Sequence, residues 1–391
     1  MTELKNASPR FDPEKVHVLR DVNPQKQREN FRELLRALVR IKSKETIAIK
    51  PNLGSPLPEQ TGATTSLWMI EETIRYVRER RGRPILVEAP SHIHDFEQVM
   101  EVTGAGKLCR DLDVDYVDAR QNTMALRPLK HDDPSGRIYN VHLAVLGADG
   151  IICLPKLKTH NRTGVTLGIK GLMGFLAVPD RHGFHRRGVT DDIVELYRRL
   201  KGQIRATIID GTVGMEGHGP TNGRPVQMDL IIGAKDTVSV DSVGAQIMGF
   251  DAEEVDHIRI AHDLGLGKKN RRWVVHPEGN PLPFRPFERA RSDNGIRTQI
   301  ITFPFLSAAL RMGKMGVRGR TKPIVSPVSA CPTCSECATV CPTQAIDPPA
   351  LMNYEACIGC GLCIPACPEN ALSSEGSGHK WRRVMRELTG I

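Results

Sequence analysis

Eight of the ten cysteines fall in two copies of one pattern, Cys-x2-Cys-x2-Cys-x3-Cys-Pro. The first copy is Cys331, Cys334, Cys337 and Cys341 before Pro342; the second is Cys357, Cys360, Cys363 and Cys367 before Pro368. Three cysteines three residues apart on a tight loop reach three irons of one cube. The fourth, carried away on the following helix, ligates the other cube in two-cluster proteins. The spacing therefore predicts two [4Fe–4S] clusters. One is held by Cys331, Cys334, Cys337 and Cys367, the other by Cys357, Cys360, Cys363 and Cys341. The copies are offset by 26 residues and end alike, CPTQAI and CPENAL, as two interlocked halves of a small α+β module require. Structural zinc takes four ligands as two separated pairs, not this doubled run. Disulfides would need an oxidising compartment. Cys109 and Cys153 stand alone, Cys153 within GIICLP, and are read as small core hydrophobes.

The remaining chain is long enough for a large domain beside this small one: 391 residues, 40% of them hydrophobic. The formal charge is +9. Two cubes at −2 each, with their thiolates, leave about +5. That balance suits an acidic redox partner or a small anionic substrate. No aromatic-interleaved basic stripe argues for specific nucleic-acid binding. The N-terminus has no apolar signal core, and no stretch reaches the ~18–20 residues of a membrane span. Eight metal-binding thiols without an export signal point to the cytoplasm. The apolar segment from Thr298 to Leu310, followed by RMGKMGVRGRTK, permits peripheral membrane contact. Its plainer reading is a segment packed on the main domain, then a solvated linker.

Residues 1–310 read as strands alternating with helices. Strands are expected at 46–52, 84–90, 114–118, 151–156, 206–210 and 228–233. Helices are expected at 25–41, 65–81 with Thr64 or Thr65 as N-cap, 95–103, 165–176, 191–200, 238–248 and 252–264. Near-continuous apolar strands between helices predict an α/β fold: a parallel or mixed sheet with helices on both faces. A basic linker at 311–330, the cluster module at 331–372 and a tail at 373–391 follow.

Polar motifs follow the strands, on the edge where open α/β sheets bind ligands. These are Lys50-Pro51-Asn52, Glu88-Ala89-Pro90-Ser91-His92, Lys156-Leu157-Lys158-Thr159-His160, Asp210-Gly211 and Asp236. Lys50, Asn52, Lys158 and Lys170 are candidate anion ligands. Gly217 and Gly219, in a glycine-rich loop at 211–223, would let backbone N–H groups approach the anion. Lys156, His160 and His218 are the candidate catalytic residues. Each also has an ordinary structural reading: a lysine after a strand is often solvated, a histidine often a hydrogen-bonded core residue, and Asp210 and Asp236 suit turns or helix caps. His182 and His185 read as an exposed basic loop. GHGPTNG is not a dinucleotide fingerprint, and P-loop, His-Glu-x-x-His and c-haem motifs are absent.

The segments KPNL, TGATT, VEAP, LPKLKTHNRTGVTLGIKGLMG, IDGTVGMEGHGP and KDTVSVDSVGAQIMGF resemble the domain of unknown function 362, over roughly residues 45–268. Members of that family often carry a C-terminal pair of bacterial-type ferredoxin motifs. The resemblance implies an α/β domain joined to two [4Fe–4S] clusters in a cytoplasmic protein, with no assigned substrate. Pro332, inside the first Cys-x2-Cys, stiffens that loop and leaves the sulfur spacing intact. Two functions fit. One is an oxidoreductase passing electrons through the clusters to a small anion on the α/β domain. The other is an electron-transfer protein or subunit whose α/β domain docks a partner or senses a ligand without chemistry of its own.

Overall fold

The computed structural model describes residues 10–91, 93–120, 126–128, 139–177, 180–181, 184, 189–290, 323–325, 336–339, 341, 344–347, 351–353, 356, 363 and 372–374. Cys331, Cys334, Cys357, Cys360, Cys367, His182, His185, segment 298–310, and most of the 311–330 linker and 373–391 tail lie outside the described residues. The described residues up to Ala290 belong to one compact unit, and those from Pro323 onward to a second.

The larger unit is an α/β fold on a mixed sheet. In chain order its strands are β1 (Val16–Arg20), β2 (Thr46–Pro51), β3 (Arg83–Glu88) and β4 (Asp115–Asp118); a separate antiparallel ladder joins β5 (Leu126–Pro128) to β6 (Asn140–His142). Then come β7 (Gly150–Leu154), β8 (Lys156–His160), β9 (Gly164–Val165), β10 (Ile204–His218), β11 (Asn222–Ala234) and β12 (Trp273–His276). The sheet order is β12-β1-β11-β10-β7-β2-β3-β4, with β8 beside β10 and β9 beside β8. Neighbours from β10 to β4 run parallel, and β11 is antiparallel to both β10 and β1.

Alternate residues of each central strand feed opposite faces, as the period of two dictates. Ile47, Ile49, Ile152 and Ile208 join the cluster that also holds residues of α1 (Pro24–Leu38), α2 (Leu67–Glu79), α3 (Phe96–Val102) and α4 (Ala105–Asp111). Ala48, Ile151, Cys153 and Ile209 join the cluster lined by α5 (Leu143–Leu146), α6 (Leu167–Gly171), α7 (Val189–Leu200), α8 (Thr237–Ile247) and α9 (Asp256–Asp263). Both faces are thus covered, which is why the strands read as unbroken apolar runs. Cys109 and Cys153 are buried in these two clusters, and burial pushes their thiols up to about 11 and about 12.

Three details differ from the sequence reading. Helix α2 begins at Leu67 with Ser66 as N-cap, and none of the three hydroxyls caps it: Thr64 Oγ1 donates to Leu57 O at 2.9 Å, Thr65 Oγ1 donates to Leu154 O at 2.7 Å, and Ser66 Oγ meets Thr212 Oγ1 at 3.0 Å. Residues 165–176 do not form one helix but a strand end, the short α6, and a 3-10 turn at Leu172–Phe175. Most important, KLKTH and GTVGMEGH are strands, not loops. β10 runs on for 15 residues, pairing first with β7 and then, from Asp210 onward, with β8, with a register shift between Asp210 and Met215.

In the smaller unit, α10 (Glu336–Thr339) follows β13 (Pro323–Val325) in the chain, and two ladders pair β13 with β16 (Leu372–Ser374) and β14 (Ile346–Asp347) with β15 (Leu351–Met352). Cys337 and Cys363 are buried in one apolar cluster with Ile346 and Leu372, and Cys341 packs against it.

Candidate functional site

The site is a group of buried charges where β2, β3, β7 and β8 meet. Lys50, near the end of β2, donates to Glu88 Oε2 at 2.9 Å and to the Pro51 carbonyl at 2.6 Å. Both side chains are about 95% buried, and Glu88 also accepts from the Leu53 and Ala89 amides at 2.8 Å each. The 3-10 turn seals this pair. A Cβ on Gly174 would lie 2.2 Å from Glu88 Oε1 and 2.5 Å from Lys50 Nζ, so only glycine lets that backbone close over the charges.

Two further lysines come from β8, where the period of two puts Lys156 and Lys158 on the same side. Their surroundings differ sharply. Lys156 has no exposed surface and donates to Asp210 Oδ2 at 2.7 Å. Asp210 also accepts from Ser66 N, Thr212 N and Thr212 Oγ1 at 2.6–3.0 Å. Burial alone would raise the Asp210 carboxyl; the adjacent Lys156 ammonium and these hydrogen bonds hold it below the ordinary carboxylate range. Among the described residues, Lys158 reaches no carboxylate. Its Nζ donates to Asn52 Oδ1 at 3.0 Å and to the Ala63 carbonyl at 2.6 Å. Burial, then the neighbouring charge of Lys170, pushes Lys158 down to about 7.

Lys170 is placed by α6. Asp241 of α8 accepts from the Gly168 and Ile169 amides at 2.7 and 2.8 Å, holding the start of that short helix and the left-handed Leu167 (φ 45°) before it. Lys170 retains some exposure, and no hydrogen bond or ion pair holds it among the described residues. Burial first, then Arg181 and Lys50, push it down to about 8. The Arg181 guanidinium donates to the carbonyls of Ala89, Pro90 and Leu176, and burial pushes it down to about 10, against the pull of Glu88. Arg120 is matched by Asp118 at 2.8 Å. Among the described residues Glu88 is thus the carboxylate that Lys50, Lys158, Lys170 and Arg181 have in common, while Asp118, already matched by Arg120, also acts on Arg181. The hydroxyls of Ser55, three residues past Asn52, and of Thr166, whose N–H donates to the Lys158 carbonyl at 3.0 Å, are buried without a hydrogen-bond partner.

The TGATTS run after β2 clamps the group. Ala63 offers its carbonyl to Lys158, Thr65 Oγ1 accepts from Asn52 N at 2.7 Å, and Ser66 N meets Asp210. Lys50 lies near the end of β2 with Asn52 just past it, Lys156 and Lys158 lie within β8, and Lys170 lies on α6. The other named residues lie further along the β8–β10 ladder. His160 ends β8, buried, with Nδ1 accepting from Arg162 N at 3.1 Å; His218 ends β10, exposed. Gly217 and Gly219 serve the close approach of those strands. Thr159 Oγ1 donates to Gly217 O at 2.9 Å, and a Cβ on Gly219 would fall 2.1 Å from the Thr159 carbonyl oxygen. Glu88 carried a sequence signal, a charge ending the apolar run PILVE. Asp241 carried one as well, an acid near Asp236 at the start of a helix; Arg181 and the Ala63 carbonyl carried none.

Cys337 and Cys363 are buried in one apolar cluster with Cys341 packed against it, but among the described residues no three metal-ligating side chains gather closely enough to hold a metal ion. Cys337 and Cys341 come from the first run and Cys363 from the second.

Comparison with known proteins agrees with both parts. A 4Fe–4S binding domain matches residues 351–373, which makes this an iron–sulfur protein with at least one [4Fe–4S] cluster. The thylakoid-associated protein sll1697 of Synechocystis sp. is 25% identical over 232 residues, 58% of this chain and 70% of that protein. The lactate racemase apoprotein from Thermoanaerobacterium thermosaccharolyticum superposes with a TM-score of 0.39 at 12% identity, over 61% of this chain and 57% of that one. No described helix is long and apolar enough to cross a membrane. The model of the domain of unknown function DUF362 matches residues 47–246, just over half the chain, and the chain belongs to that family.

Proposed function

We propose that the protein is an iron–sulfur oxidoreductase that holds a small anionic substrate at the lysine cluster of its α/β unit. Electrons reach that substrate from a redox partner protein through two [4Fe–4S] clusters. The observation that carries the reading is the charge imbalance at the sheet's carboxyl edge. Among the described residues Lys50, Lys158 and Lys170 have Glu88 alone as a nearby carboxylate, and Arg181 leans on it too, in a chain that also bears a 4Fe–4S domain. Burying uncompensated charge is costly, and a bound anion removes that cost. Bound clusters would supply electrons one at a time. Cys331, Cys334, Cys337 and Cys367 would hold one, and Cys357, Cys360, Cys363 and Cys341 the other.

The chain's own residues divide the remaining work. Lys158 and Lys170 bind the anion, with Asn52 orienting Lys158. The Lys50–Glu88 pair fixes the floor of the site. The Lys156–Asp210 pair anchors β8 and so positions Lys158. His160, two residues beyond Lys158 on the same side of β8, is the imidazole placed to relay a proton.

The test uses anaerobically prepared, dithionite-reduced protein freed of excess reductant. A panel of 2-oxo acids, unsaturated dicarboxylates and phosphate esters is added, and cluster reoxidation is followed spectroscopically. One class of anion is expected to reoxidise the wild type, with Lys170→Met at least tenfold slower at unchanged iron content. Reoxidation by acceptor proteins but by no member of the panel would replace this reading with the electron-carrier one.

A further inference from the structure

Lys158 and Lys170 differ from every other buried cation of the site. Lys50 and Lys156 each face a carboxylate within 2.9 Å, and Arg181 is tied to three carbonyls. Lys158 has only the neutral acceptors Asn52 and Ala63, and Lys170 has no hydrogen-bonded partner among the described residues. The charged and titratable groups around them are known. Lys158 faces Lys170, Glu88, Lys156 and Lys50; Lys170 faces Arg181, Lys50, Glu88 and Arg162, and also acts on buried His257 of α9. Glu88 is the sole acid in both sets, and Lys50 already engages it.

We propose that Lys158 and Lys170 form a proton-coupled receptor for an oxyanion group carrying two negative charges, the anion and one or more protons binding together. The proposal rests on the anion site of the function given above but not on its redox chemistry. The physical reason is reciprocal. With no anion present, crowding by like charge and loss of hydration favour neutral amines, which Asn52 and Ala63 still satisfy as hydrogen-bond acceptors. A dianion reverses the balance, since each ammonium then gains a charged partner in a dry setting. A monovalent anion repays only part of that, so the site selects by charge. The lysines, at about 7 and about 8 without ligand, place the coupling in the neutral-to-alkaline range. Below that range both are already charged and nothing is taken up. Above it each proton bound with the anion makes affinity fall up to tenfold per pH unit.

Sulfate is the probe, because it stays doubly charged across this range. Titration calorimetry of the intact holo-protein, at constant ionic strength in two buffers of different ionisation heat, gives the protons taken up per anion. At pH 8 uptake of about one proton per sulfate is expected; at pH 6 it falls towards zero. Chloride at equal ionic strength should bind at least tenfold more weakly. Malonate, a dianion whose two charges sit on separate flat carboxylates, should show the same uptake at pH 8 if charge rather than tetrahedral shape is read. Lys170→Met should weaken sulfate binding at least tenfold and lower the uptake. Lys170→Arg, which stays charged, should keep binding and lose its share of the uptake. Sulfate binding without proton uptake at pH 8, equal binding of chloride, or unchanged binding by Lys170→Met would each overturn the proposal. Normal uptake in a protein that reduces no anion would refute the oxidoreductase reading alone.

Discussion

Replacing Lys156 by methionine tests whether β8 is held by a buried ion pair. Methionine keeps most of the stem volume, so the change removes the ammonium with little cavity. Asp210 would keep its three hydrogen bonds, from Ser66 N, Thr212 N and Thr212 Oγ1, but lose its counter-charge at zero exposure. Breaking such a pair from one side costs about 3–5 kcal/mol. Protonation of Asp210 would recover part of this, so about 3–4 kcal/mol is expected at pH 7. At about 2–4 °C per kcal/mol for a domain of this size, the α/β unit should melt roughly 10 °C lower. The assay is far-UV circular dichroism under anaerobic conditions, on wild type, Lys156→Met, Asp210→Asn and the double variant.

The double variant should be less destabilised than the two singles added together, by about 2–3 kcal/mol. The pH dependence gives an independent sign. In the wild type Asp210 sits below its unfolded value, so its contribution is present above that value and lost as pH falls through the folded one. In Lys156→Met the carboxyl is raised by burial, so its penalty is present at neutral pH and relieved by protonation. The gap between the two proteins should therefore narrow from pH 7 to pH 5. A Lys156→Met protein within about 1 kcal/mol of wild type, or a gap that widens in acid, would refute the buried-pair argument.

Three further outcomes are expected. Anaerobic protein should contain about eight iron and eight acid-labile sulfide per chain; zinc without sulfide after reconstitution would exclude the clusters. Cys341→Ser should alter the paramagnetic spectrum of the cluster held by Cys357, Cys360 and Cys363; a change confined to the cluster of Cys331, Cys334 and Cys337 would contradict crossed ligation. Gly219→Ala must displace the Thr159 carbonyl, which a Cβ would approach to 2.1 Å, so about 1–3 kcal/mol of stability should be lost while sulfate still binds; loss of sulfate binding in a normally stable variant would instead put Gly219 at the ligand.

The sequence by itself determined the iron–sulfur module, because eight thiols at fixed spacing leave few other chemistries. It also determined the layered α/β fold, because apolar runs of strand length between amphipathic segments need cover on both faces. It placed Lys50 near the end of a strand and Asn52 just after it, since that follows from chain order alone. Which lysine does what was decided only in three dimensions. Lys156 and Lys158 are two residues apart with the same side chain, yet one meets Asp210 from 54 residues away and the other meets Asn52 and the Ala63 carbonyl. Nothing local distinguishes them, because the distinction lies in partners brought by β10 and by the TGATTS run. The glycine-rich stretch after Asp210 was misread as an anion-cradling loop for a similar reason. Missing Cβ atoms serve close backbone approach to a ligand and to a neighbouring strand equally well, and only the pairing of β10 with β8 and β11 shows which one these glycines provide.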